Sequence, residues 1–161
     1  MLQSFVTVVL PCLNEAESLP GVLARIPPGY TALVVDNNST DDTACVARSH
    51  GAQVVTERRP GYGSAVHAGV VAATTPIVAV LDADGSLDPA ELPLMVAELD
   101  RGADMVTGRR CPVRGLRWPW HARLGTAAVS WRLRTRHGLA VHDIAPMRVA
   151  RRDALLGLGV E

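Results

Sequence analysis

Lysine is absent from these 161 residues, so every positively charged side chain other than histidine is one of 16 arginines. Cysteine is scarce. Cys12, Cys45 and Cys111 are too few and too scattered for a disulfide framework or a metal knuckle, and a reducing cytoplasm is the expected compartment. Long hydrophobic runs are missing too. The longest, around Val70 to Leu81, is broken by Thr74-Thr75-Pro76 and falls short of the roughly 18–20 residues a bilayer span needs. No basic stretch or cleavage site precedes "FVTVVL", so no secretory leader is expected. Repeats, low-complexity segments and flexible linkers are also lacking.

What is present is an ordinary globular composition, 48% apolar and 20% charged, long enough for one domain with a real core. The net charge of zero conceals an asymmetry. Residues 1–104 carry 13 of the 16 acids and 5 of the arginines; residues 105–161 carry 3 acids and 11 arginines. One reading is a compositional bias toward arginine. The other is an acidic half that holds a cation and a basic half that faces phosphates or an anionic surface.

Short apolar runs alternate with helical patterns. Strands are expected at 5–10, 31–36, 52–56, 76–82 and 103–108, and helices near 15–26, 41–50, 62–74 and 89–101. Caps such as Ser39-Thr40-Asp41-Asp42 and Asp88-Pro89 precede the second and fourth helices. This alternation predicts an α/β fold, a Rossmann-like and mostly parallel sheet flanked by helices on both faces. Past Gly108 the rhythm changes to a turn-rich, Arg- and Trp-bearing stretch, "RRCPVRGLRWPWHARLG", then a helix near 122–136. "RWPW" suits either an interfacial anchor or a packed acceptor loop. The sequence stops directly after "LLGLGV", which reads as a truncated C-terminus.

"VAVLDADGS" carries the sharpest signal. A fully apolar run ends on Asp82 and Asp84, an arrangement that repulsion and desolvation oppose unless a cation sits between them. On extended backbone, positions i and i+2 point the same way, roughly 6.6 Å apart. Such a pair suits Mg²⁺ or Mn²⁺ whose shell is completed by substrate phosphates. A turn or helix cap is the competing reading for such a pair. In a doubly wound sheet, ligands bind beyond the carboxyl ends of the strands. "PCLNE", "DNNSTDD", "RRPGYG" and "DADGS" all fall there, and their convergence favours the cation. Gly61 and Gly63, before a small-residue helix, suit close backbone approach to an anion, or simply a tightly packed loop. Asn14 and Glu15 suit a ribose or base contact, or a helix start. His67 is read as a packing or surface residue and Cys45 as core, and His121, His137 and His142 have no metal-ligand spacing.

In order and spacing, "VVLPCLNEAESLPGVL", "VVDNNSTDDT", "PGYGSAVHAGV", "LDADGSLDPAEL" and "ADMVTGRR" resemble the family 2 glycosyltransferases of GT-A fold. The subgroup most similar is the dolichyl- and polyprenyl-phosphate hexose synthases. The match covers residues 5–110 and continues more loosely through "VHDIAPMRVARRDAL". The resemblance implies a metal-dependent, inverting hexosyl transfer from a nucleotide-sugar donor, UDP- or GDP-linked, to an acceptor for which a polyprenyl phosphate is a candidate. It implies donor contacts at Pro11, Leu13 and Glu15, a base pocket at Val35 and Asn37, and metal and diphosphate at Asp82, Ala83 and Asp84. Arg110 would reach the phosphates, and Asp84 would be a catalytic carboxylate. Read from the residues alone, Asp143 suits a catalytic group near the acceptor, the base an alcohol acceptor needs, or else a helix cap or an arginine's partner. The resemblance further implies one domain, with a donor-binding half at 1–108 and an acceptor-side half at 109–161. Peripheral contact with the inner face of a membrane and a homodimer are left open; nucleic acid is not an expected partner. Two departures stand out: Asp36-Asn37-Asn38-Ser39 replaces the usual Asp-Asp-Gly-Ser, and "DIAPMR" replaces a turn ending Gly-Phe-Arg. The family's later basic segment has no counterpart before Glu161.

Rival readings are a nucleotidyltransferase and a non-catalytic or C-terminally incomplete nucleotide-sugar-binding module. The first normally places a glycine-rich loop after its first strand, and "LPCLNEAE" holds no glycine.

Overall fold

The computed structural model describes residues 5–108, 135–136 and 147–159. Among the described residues, six strands form one sheet: β1 (Val6–Cys12), β2 (Tyr30–Asp36), β3 (Gln53–Thr56), β4 (Ile77–Leu81), β5 (Met105–Thr107) and β6 (Met147–Arg151). Their order is β3-β2-β1-β4-β6-β5. β1 pairs in parallel with β2 and β4, and β2 with β3; β6 runs antiparallel to both β4 and β5. The expected mostly parallel α/β sheet is therefore present, with one strand, β6, that the apolar pattern does not reveal.

The helices fully contained in the described residues are α1 (Leu19–Leu23), α2 (Thr43–Ser49), α3 (Tyr62–Ala72), α4 (Leu92–Asp100, preceded by a 3₁₀ turn at Pro89–Glu91) and α5 (Arg152–Gly157). Alternation along β1 divides the core. Val6, Val8, Leu10 and Cys12 face α1, α2 and α4 through Leu19, Val22, Ala47, Leu92, Met95 and Leu99. Val9, Leu33, Val35, Val78 and Val80 face α3 and α5 through Ala65, Val70, Leu155 and Leu156. Both faces are covered, which is why the strands read as unbroken apolar runs.

α1 is shorter than the expected 15–26: Glu15 to Ser18 form a turn, and the helix begins at Leu19 with Pro20 in its first turn. Cys45 corrects an expectation: it is exposed, because α2 buries Thr43 and Ala47, four residues apart, and position 45 lies off that face. Of the helix expected at 122–136, only residues 135 and 136 are described, and both are helical. "RWPW" lies outside the described residues. Among the described residues, no helix is long and apolar enough to cross a membrane.

Candidate active site

The sheet order reverses direction at β1: one crossover leads to β2 and β3, the other to β4. A crevice opens at such a switch point, beyond the carboxyl ends of the strands. Here it is a cleft of about 530 Å³, lined from all four loops expected to converge. Pro11, Leu13 and Glu15 come from the end of β1, Asn37 and Asn38 from β2, Arg58, Pro60, Gly61 and Tyr62 from the stretch between β3 and α3, and Asp82, Ala83 and Asp84 from β4.

The loops are tied to one another. The Asn14 N–H donates to Ser39 Oγ (3.1 Å), and Asn14 Oδ1 accepts from the Thr40 N–H (2.8 Å). The Glu15 N–H donates to Thr43 Oγ1 (2.9 Å), and the Ala16 N–H to Asp41 Oδ2 (3.1 Å). The Asp41 carboxyl is held below its ordinary value chiefly by the hydroxyl of Thr43. Ser18 Oγ lies 2.7 Å from Glu15 Oε2 and 2.8 Å from the Ala83 carbonyl, and its single proton serves one of them at a time. That hydroxyl joins the β1 loop to the acidic turn.

Asp82 and Asp84 both line the cleft, but the backbone bends after Leu81 instead of continuing as a strand. Gly85 takes φ +76°, and Asp84 Oδ1 accepts from the Ser86 N–H at 2.9 Å. One oxygen of Asp84 thus closes the turn, so the capping role and a place on the cleft coexist. Asp82 Oδ1 accepts from the Tyr62 hydroxyl at 3.1 Å. Burial first, and the Asp82 carboxylate second, push the Tyr62 phenol up to about 12.

Two hard carboxylate donors on one cleft wall fit Mg²⁺ or Mn²⁺ in the manner of sites that leave most positions to substrate phosphates and water. Among the described residues, no group of three or more His, Cys, Asp or Glu side chains able to hold a metal occurs.

The expected site residues divide as follows. Pro11, Leu13, Glu15, Asn37, Asp82, Ala83 and Asp84 share the cleft. Ala83 buries its methyl group and presents its carbonyl to Ser18. Val35, expected at the base pocket, instead has no exposed surface: it faces α3 in the core, because the strand's alternation sends it to that side. Arg110 and Asp143 lie outside the described residues. Asn37 engages its amide with the neighbouring loop, donating to the carbonyls of Glu57 and Arg59 and accepting from the Gly61 N–H, each at 2.8 Å. Gly61 needs its glycine, at φ +125°, whereas a Cβ on Gly63 would meet nothing.

Sequence reasoning missed two groups tied to the acidic turn, Ser18 and Tyr62, and Arg148, whose charge acts on Tyr62. Tyr62 stands between the two glycines, at the first position of α3, and that placement was the available signal. Arg148 lies opposite Val80 in the β4–β6 ladder, near enough to Tyr62 to oppose the rise of its phenol.

A family model for glycosyl transferase family 2 matches residues 7–158. An uncharacterized glycosyltransferase of Mycobacterium tuberculosis is 79% identical over 155 residues, covering 96% of this chain and 71% of that protein. A dolichyl-phosphate hexose transferase of Haloferax volcanii is 34% identical over 152 residues, covering 92% of this chain and 67% of that one. Among solved structures, glucosyl-3-phosphoglycerate synthase from M. tuberculosis, in complex with Mn²⁺, UDP and glucosyl-3-phosphoglycerate, superposes with a TM-score of 0.76 at 27% identity. That match covers 93% of this chain, which spans 57% of the length of the solved one.

Proposed function

The chain belongs to glycosyl transferase family 2, and from that membership we propose that it transfers a hexose from a nucleoside-diphosphate sugar, with Mg²⁺ or Mn²⁺ held by Asp82 and Asp84. A polyprenyl phosphate is the acceptor class this reading favours. The observation that carries it is the meeting of four post-strand loops in one cleft, with two carboxylates beside the N-terminus of α3. Relatives named for dolichyl-phosphate and polyprenol-phosphate sugar transfer support the acceptor class. A neighbour holding Mn²⁺ with UDP supports the donor and the cation. We assign donor binding to residues 1–108 and the acceptor side to 109–161, within a single domain.

In this reaction an acceptor oxygen attacks the anomeric carbon through an oxocarbenium-like state. The new C–O bond forms as the bond to the diphosphate breaks, and its electron pair departs with the nucleoside diphosphate. Attack opposite the leaving group inverts the configuration. A bound divalent cation supplies neutralisation of the charge growing on the departing diphosphate. The chain's own residues hold and orient. Pro11, Leu13, Glu15 and Asn37 shape the nucleoside end, and the N-terminus of α3 offers its positive end to phosphate. Arg110 is assigned to the phosphates, where its planar fork suits paired oxygens. A phosphate acceptor is already anionic and needs no strong base. An alcohol acceptor needs one, and Asp143 is assigned that role.

The test is calorimetric binding of UDP and GDP in Mn²⁺ and in EDTA, then nucleoside diphosphate release with polyprenyl phosphate and with phosphoglyceric acid. Binding should strengthen in Mn²⁺. Asp84→Asn should abolish that increment while its amide oxygen still accepts from the Ser86 N–H, leaving the fold intact. Nucleotide affinity indifferent to Mn²⁺, or to this substitution, overturns the cation site. Metal-dependent binding with no turnover on any acceptor favours the non-catalytic module.

A further inference from the structure

We propose that Tyr62 is a positioning residue for the Asp82 carboxylate, and that Asn37 holds Tyr62 in place through the loop between β3 and α3. This rests on the cation site proposed above. The connection is short and made of named contacts. Asn37 is only 6% exposed, and its amide donates to the carbonyls of Glu57 and Arg59 at 2.8 Å each. Its Oδ1 accepts from the Gly61 N–H, also at 2.8 Å. One side chain therefore fixes the 57–61 loop at both ends. Only an amide can do so, because a carboxylate at position 37 accepts but cannot donate, and would face two carbonyl oxygens. Gly61, at φ +125°, then turns the chain into α3. The next residue, Tyr62, brings its hydroxyl to within 3.1 Å of Asp82 Oδ1.

A carboxylate's terminal torsion is broad, so a donor fixed on one oxygen narrows the orientations from which the group can ligate. Partners of ligating groups are commonly worth about 10–100-fold in metal affinity. Tyr62 is 48% exposed and gives Asp82 one hydrogen bond, so an effect of about tenfold, the lower end of that range, is expected.

Manganese affinity in the presence of UDP, read from the paramagnetic resonance of free Mn²⁺, tests this on Tyr62→Phe and Asn37→Asp. Tyr30→Phe serves as the control. Tyr62→Phe should weaken Mn²⁺ binding about tenfold, while UDP affinity in EDTA and the melting temperature stay at wild-type values. Asn37→Asp should shift Mn²⁺ affinity in the same direction, and Tyr30→Phe should not. Wild-type Mn²⁺ affinity in Tyr62→Phe overturns the proposal. So does a parallel loss of metal-free UDP binding and melting temperature, which marks a merely structural tyrosine. Wild-type Mn²⁺ affinity in Asn37→Asp removes Asn37 from it. If Asp82→Asn abolishes Mn²⁺ binding and Tyr62→Phe does not alter it, only the tyrosine's role falls. If the wild-type protein shows no Mn²⁺-dependent UDP affinity, the cation site falls and the tyrosine's role with it.

Discussion

At the scale of single residues, the acidic pair is the feature most legible in the sequence. An apolar strand that ends on two carboxylates requires an explanation, and the cleft supplies one. Tyr62 was not legible, because its meaning depends on lying beside Asp82, 20 residues later in the chain. That proximity has a consequence in alkali. Burial and the Asp82 carboxylate raise the phenol from its ordinary 10.0 to about 12, against an opposing pull from Arg148. The folded protein thus keeps this proton where the unfolded chain has lost it. The associated stability is fully present below the unfolded value near 10 and is lost as the pH rises toward 12. Phenolate absorbance in a Tyr30→Phe background should show one tyrosine titrating near 12, and Asp82→Asn should bring it down toward 10. A midpoint at the ordinary value in the folded Tyr30→Phe protein would contradict the Tyr62–Asp82 contact.

At the scale of elements, β1, β2 and β4 were readable because each is a short, β-branched-rich run with buried residues on both faces, and β3, an edge strand with only Val54 and Val55 half-buried, from its β-branched pair. β6 was not. Arg148 and Arg151 interrupt its apolar character, and its place between β4 and β5 is set by pairing partners 40 or more residues away in the chain. Cys45 illustrates a related failure, since a small helix with two buried positions leaves its face undetermined until it docks. α3 offers the sharpest test of packing. A Cβ added to Gly69 would overlap Val9 Cγ1 and come within 3.0 Å of Val35 Cγ2, both in the core. Gly69→Ala should therefore destabilise by about 1–2 kcal/mol, overpacking outweighing the gain in helix propensity. Gly63→Ala, in open space on the same helix, should be neutral or slightly stabilising. Urea midpoints of the two variants check both expectations.

At the scale of the whole molecule, the late β6–α5 unit is fastened to the middle of the chain. Arg152 donates from Nε to the Val70 carbonyl (3.1 Å) and from its terminal nitrogen to the Val71 carbonyl (3.0 Å), at the end of α3. A cation on the last carbonyls of a helix meets both their hydrogen-bonding need and the helix dipole. Arg152→Ala should lower stability by about 1–2 kcal/mol, and Arg152→Lys should recover only part of it, because a single ammonium lacks the planar fork. Thermal unfolding of the two variants measures this. The sequence alone determined the alternation of strands and helices, the parallel pairing of buried strands and the presence of a carboxylate pair at a strand's end. These follow from local propensity, burial pattern and chemistry that a few neighbouring residues carry. The tertiary structure decided the insertion of β6 as an antiparallel strand, the burial of Val35 and the attachment of the Asn37 amide to the 57–61 loop. It also decided the meeting of Tyr62 with Asp82. Each depends on groups distant in sequence being held within hydrogen-bonding or packing distance, and no local pattern encodes a distance across the sheet.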